Sequence, residues 1–220
     1  MLGASIMNTQ LARFLASGML LLPLLLWLYQ TGSPLIYFTD DAPAGQLPYV
    51  LSKLFALYAL AFIHFQIMAV LLAKLGNRFP RSMHFVLGVM ILILSLSHFL
   101  LFVSAASLRQ GGMAWSLFAF DFDDFYHTYL SVGLISLLTL VLVVFLGALQ
   151  SRFRGPVFRI AHRLYFLVIG GVYLHSLSVG SEMQSFWGVL YFSTLGFIVV
   201  ILTMLVFIKG RREVAGYASL

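Results

Sequence analysis

The chain contains no cysteine. That excludes disulfides, iron–sulfur clusters and thiolate metal sites as the basis of its chemistry. Charge is nearly as scarce: 9% of residues are Asp, Glu, Lys or Arg, against 61% hydrophobic. A soluble domain cannot hide that much apolar surface, so the composition points to an integral membrane protein in contact with lipid. There is also no GxGxxG turn and no P-loop, so any nucleotide-binding domain is expected on another polypeptide. The net charge of +6 does not indicate nucleic acid, because the basic residues flank apolar runs in the pattern of membrane topology.

Six apolar runs are present, at residues 12–29, 54–75, 82–106, 128–149, 157–179 and 186–207. Each is long enough to cross about 30 Å of hydrocarbon as a helix. A lone strand would leave its backbone groups unpaired in lipid. The expected fold is therefore an all-α bundle of six transmembrane helices, forming a single domain over residues 1–220. The first run is longer than the apolar part of a signal peptide and is read as a span, with Pro23 a place for a kink.

Lys and Arg set the orientation. With the N-terminus in the cytoplasm, the inner side collects Arg13, Lys74, Arg78, Arg81, Arg152, Arg154, Arg159, Arg163, Lys209, Arg211 and Arg212. The outer side has only Lys53 and Arg109, and it holds all the acids except Glu213. Both termini are thus expected in the cytoplasm of a multi-pass inner (plasma) membrane protein.

Histidine inside a span points to function. On the third run, His84 and His98 are 14 residues apart; on the fifth, His162 and His175 are 13 apart. These spacings correspond to roughly 20 Å along a helix axis. Both runs point from inside to outside, so the histidines pair by depth: His84 with His162, and His98 with His175. Imidazole is a good axial ligand of haem iron, and the pairs suit two stacked haem groups. Gly88 and Gly171, one turn from His84 and His175, leave room for a macrocycle. Arg81 and Arg163 are placed to bind the propionates of the inner haem. A spacing of 13 leaves two residues about 140° apart on a straight helix, so the fifth helix is expected to kink, to bulge or to rotate its haems, with Gly170-Gly171 a place for that. The alternative reading of these histidines is a structural hydrogen bond between helices, in a haem-free transporter or scaffold. His64 reads as structural, with a proton or quinone role as its alternative, and His127 as interfacial.

With these residues in view, the chain resembles the ferric reductase-like transmembrane superfamily. That group covers NADPH oxidases, ferric reductases and the haem-binding membrane subunit of the periplasmic methionine sulfoxide reductase system. The resemblance rests on the His84/His98 and His162/His175 spacings and on His162-Arg163-Leu164-Tyr165 followed by Tyr173-Leu174-His175. It implies two b-type haems carrying electrons from a cytosolic flavin to an acceptor outside. The oxidases and reductases of this group continue into FAD- and NADPH-binding domains, whereas here FAD or FMN is expected on a partner flavoreductase. The acceptor is then a small oxidant such as ferric ion or, alternatively, a dedicated periplasmic reductase that this chain, as its haem-binding membrane anchor, feeds from flavin or quinol.

Overall fold

The computed structural model describes residues 17–18, 20–39, 41–77, 79–149, 160 and 162–218. Among them every regular element is helical. The described helices are α1 (Leu20–Thr31), α2 (Gln46–Lys74), α3 (Arg81–Gln110), α4 (Phe125–Ala148), α5 (Tyr165–Val179) and α6 (Phe186–Ala218). Short 3-10 turns lie at Pro34–Phe38 and Trp115–Phe118. Four helices, α2, α3, α4 and α6, are long and apolar enough to cross a membrane, while α1 and α5 are shorter apolar helices. The runs at 12–29 and 157–179 fall partly outside the described residues. Large side chains such as Leu25, Val86, Leu100, Phe145, Phe166 and Phe207 are exposed on the bundle surface. For a chain this apolar, those exposed faces suit contact with lipid.

α2 and α3 form a long antiparallel hairpin, the most extensive helix pair in the molecule. Gly45 locks its open end. It caps α2 with φ +73°, and a Cβ there would lie 2.3 Å from the Ala105 carbonyl oxygen on α3. Only glycine meets both demands. α4 packs on α5, α3 on α4, and α2 on α6. α3 and α5 share α4 as a neighbour and make little direct contact with each other.

Two apolar clusters hold the bundle. The larger joins α1, α2 and α6 through Leu26, Trp27, Val50, Leu57, Leu60, Met68, Phe192 and Leu195, with Met183 from the loop before α6. Trp27 also donates its Nε1–H to the Val50 carbonyl at 2.8 Å, which satisfies the buried indole and ties α1 to α2. The smaller cluster is Ile63, Ile91, Leu140 and Val168. It takes one residue from each of α2, α3, α4 and α5. Ile91 stands midway between His84 and His98 in sequence, and Val168 lies between His162 and His175, so this layer sits between the two histidine levels.

The departure from α-geometry on the fifth run lies at Arg163–Leu164, not at Gly170-Gly171. α5 starts at Tyr165 and runs unbroken through both glycines. Ahead of it, Arg163 N–H bonds Ile160 O at 3.0 Å, Phe166 N–H bonds Arg163 O at 3.0 Å, and Leu167 N–H bonds Leu164 O at 2.9 Å. These i→i+3 bonds are the tighter 3-10 kind, which turns about 120° per residue instead of 100°. The extra rotation brings His162 back toward the face that carries His175.

Candidate functional site

The four histidines meet in two pairs, His84 and His98 of α3 against His162, just ahead of α5, and His175 of α5. The ring centroids of His84 and His162 are 5.9 Å apart and inclined at 70°. Those of His98 and His175 are 6.3 Å apart and inclined at 65°. A metal bonded to two opposed imidazoles at about 2.0–2.1 Å, with about 1.1 Å from nitrogen to ring centre, sets the centroids about 6.3 Å apart. The centroid separations of the two pairs lie at or just below that figure.

The His98/His175 level is held by backbone carbonyls. His98 Nδ1–H donates to Ser52 O at 2.9 Å, and His175 Nδ1–H donates to Tyr129 O at 2.8 Å. These two bonds fix the tautomer and leave each Nε2 with its lone pair, the usual preparation of a metal-binding histidine. Ser52 sits on α2, and its hydroxyl turns back to bond Tyr49 O at 2.7 Å. Tyr129 sits on α4, and its carbonyl can be reached because the residue one turn later is Gly133. A Cβ at Gly133 would lie 2.6 Å from Nδ1 of His175 and 2.9 Å from its Cε1.

At the other level, the Gln66 carboxamide of α2 lies 3.0 Å from His84 Nδ1. Ser52 and Gln66 are 14 residues apart, as are His84 and His98. The antiparallel hairpin therefore presents one polar group of α2 to each histidine of α3. Gly88 lies on this side as well, and a Cβ there would make ordinary contact with Gln66 Nε2 at 3.8 Å. Gly171 faces α4, where a Cβ would meet Ser136 Oγ at 2.1 Å. The space it leaves is filled by that serine and brings α5 close to α4. Arg163 is exposed in the turn before α5. Arg81 opens α3, and its side chain lies outside the described residues, as do Arg152, Arg154 and Arg159.

A cavity of about 250 Å³ opens beside His98 and His175, just under the roughly 300–1,000 Å³ of ordinary ligand sites. Its walls are mostly apolar, with Phe99, Phe102, Leu130 and Leu134 among them, and its floor includes Ile63, Leu140 and Val168 of the central layer. Tyr49, Lys53, Tyr126 and Glu182 stand among its polar lining residues. Sequence reasoning missed Gly133, Ser52, Gln66 and this polar group. Gln66 carried a signal, being a polar residue in an apolar span; Ser52, which acts through its backbone carbonyl, and Gly133 carried none.

His64 is fully buried and fully used. Its Nδ1–H donates to Leu60 O at 2.8 Å, and its Nε2 accepts from the Tyr173 hydroxyl. It joins α2 to α5. His127 lies at the start of α4 and bonds Asp124 Oδ2 through Nδ1 at 2.6 Å.

Among the described residues no group of three or more His, Cys, Asp or Glu side chains could hold a metal ion. Two imidazoles per level are too few to bind a bare metal tightly. They fit a metal that brings its own equatorial donors, which is what a tetrapyrrole provides. Comparison with known proteins found no matching family model, no matching curated protein and no matching solved structure.

Proposed function

We propose that this chain is a transmembrane electron-transfer protein that holds two b-type haems, one between His84 and His162 and one between His98 and His175. The observation that carries the reading is the pairing itself: His84 and His98 of α3 meet His162, just ahead of α5, and His175 of α5, in two pairs at 5.9 and 6.3 Å. Bound haem would supply one-electron redox chemistry at each level. The chain's own residues orient the ligands and exclude water. The Ser52 and Tyr129 carbonyls aim His98 and His175, Gln66 steadies His84, and the layer of Ile63, Ile91, Leu140 and Val168 keeps the space between the levels dry. No side chain is asked to act as acid or base.

In this reading all six helices span the inner membrane and both termini are cytoplasmic. Lys74, Arg163, Lys209 and Arg211 gather at the His84 end; Lys209 Nζ reaches the Lys74 carbonyl at 3.2 Å. That basic face suits an acidic flavoprotein carrying FAD or FMN. Electrons enter there and leave at the His98 end to an acceptor outside. A negative interior favours this direction by about 2.3 kcal/mol per 100 mV for a full crossing.

The test is haem stoichiometry. Purified protein should give a Soret band and two haems per chain by pyridine haemochrome. His98→Ala and His175→Ala should each halve that ratio, and the double variant should go no lower. Protein with no Soret band after haem supplementation, or single variants that keep both haems, would refute the proposal.

A further inference from the structure

We infer that the mouth of the cavity beside His98 and His175 is a docking site for a carboxylate, and that Glu182 occupies it as a built-in placeholder. The cavity is apolar along its length, with charge gathered at one end. There Lys53 Nζ lies 2.9 Å from Glu182 Oε1 and donates to Ser181 Oγ at 2.7 Å. Ser181 Oγ in turn donates to Glu182 Oε2 at 3.0 Å. The same ammonium stands 4.7 Å from the centre of the Tyr49 ring. The Arg109 guanidinium stands 4.7 Å from that ring too, and its Nη2 donates to Gln46 Oε1 at 3.0 Å.

The charge count at this mouth does not balance. Two cations share one tyrosine, and a single carboxylate contacts one of them. Among the described residues Arg109 forms no ion pair. Lys53 and Arg109 are also the only two bases that the sequence assigns to this side of the membrane, against six acids. Both stand against Tyr49, which lines the cavity. Glu182 is 7% exposed, so its charge is kept from water and depends on Lys53. A ligand carboxylate arriving at the mouth would exchange for Glu182 on Lys53, with Arg109 completing the neutralisation. Flat walls of Phe99, Phe102 and Tyr126 suit a ligand whose remaining body is apolar or aromatic.

Two sources carry this chemistry: the propionate arms of a macrocycle seated between His98 and His175, which rests on the function proposed above, and a free carboxylate-bearing anion entering from outside. The experiment separates them. Haem-free full-length protein in lipid nanodiscs is titrated with protohaem and with its dimethyl ester, followed by absorption. The same protein is titrated with citrate, followed by thermal unfolding. Wild type, Lys53→Met and Glu182→Gln are compared.

If propionates dock here, wild type prefers the free acid over the diester by about tenfold, the scale of a charge-assisted hydrogen bond. Lys53→Met removes that preference, and Glu182→Gln enlarges it by deleting the competitor. If a free anion docks here, esterification changes nothing, while citrate raises the midpoint of wild type but not of Lys53→Met. The inference is overturned if neither response depends on Lys53, or if both variants lower thermal stability alike and leave ligand binding unchanged, as a plain structural ion pair would. If no macrocycle binds wild type at all, the haem reading fails and the citrate titration alone decides the carboxylate site.

Discussion

Replacing Gly133 with alanine puts the His175 level under a measured load. In an exposed or open helix position this change is favourable by about 1 kcal/mol. At Gly133 the new Cβ would lie 2.6 Å from His175 Nδ1 and must retreat to an ordinary contact of at least 3.4 Å. The ring therefore moves by about 0.8 Å, several times the ~0.2 Å tolerance of a metal–ligand bond. It cannot move freely, because Nδ1 is tied to Tyr129 O at 2.8 Å. Loss of that bond costs about 1 kcal/mol, and the overpacking adds about 1–3 kcal/mol. Gly147 lies on the same helix with nothing within 4 Å of its Cβ position, and supplies the control. The assay is haem per chain by pyridine haemochrome together with the thermal midpoint. Gly133→Ala should drop from two haems to one and melt earlier, while Gly147→Ala should keep two and melt no earlier than wild type. Equal haem content in the two variants would refute the claim that Gly133 positions His175.

Tyr173→Phe leaves the buried His64 Nε2 without its hydroxyl and should lower stability by about 1–3 kcal/mol. Haem content should stay at two, since His64 belongs to neither pair; chemical denaturation and the Soret band read the two effects apart. Asp124 caps α4, accepting from the His127 N–H at 2.8 Å. That backbone bond, and then the His127 ring, hold its carboxyl below the usual carboxylate range. A depressed pKa adds stability above the ordinary carboxylate range and loses it as pH falls through the lowered value. The same pairing raises the His127 ring above its usual range, a gain that is complete below that range and fades as pH rises through the raised value. The midpoint gap between wild type and Asp124→Ala should thus be widest in mild acid and close as the carboxyl is protonated. A gap that is constant with pH would contradict the cap.

The helices were legible in the sequence because in lipid the length of an apolar run and the absence of any other way to pair backbone groups leave one solution. The four histidines were legible on related grounds. A titratable side chain in so apolar a chain is costly to bury, and two runs that carry such groups at matched spacings pointed to the pairing that the structure brings about. What was not legible were the parts that act through the backbone. The Ser52 and Tyr129 carbonyls exist in every sequence, and only the packed helices show which of them an imidazole reaches. Glycine misleads in both directions. Gly170-Gly171 suggests a kink, yet Gly171 serves close packing against Ser136, and the tightened turn falls instead at Arg163–Leu164, where no glycine marks it. In the sequence Lys53 and Arg109 are two sparse charges far apart, and their meeting on Tyr49 depends on how α2 and α3 align.

The four aliphatic side chains of the central layer have a consequence for what can traffic through the bundle. A proton moves only by handing itself along a chain of hydrogen-bonding partners, and Ile63, Ile91, Leu140 and Val168 offer none. An electron needs no such chain; it needs only that the gap be short. On the function proposed above, a slab of this kind would let electrons pass while offering protons no path of its own.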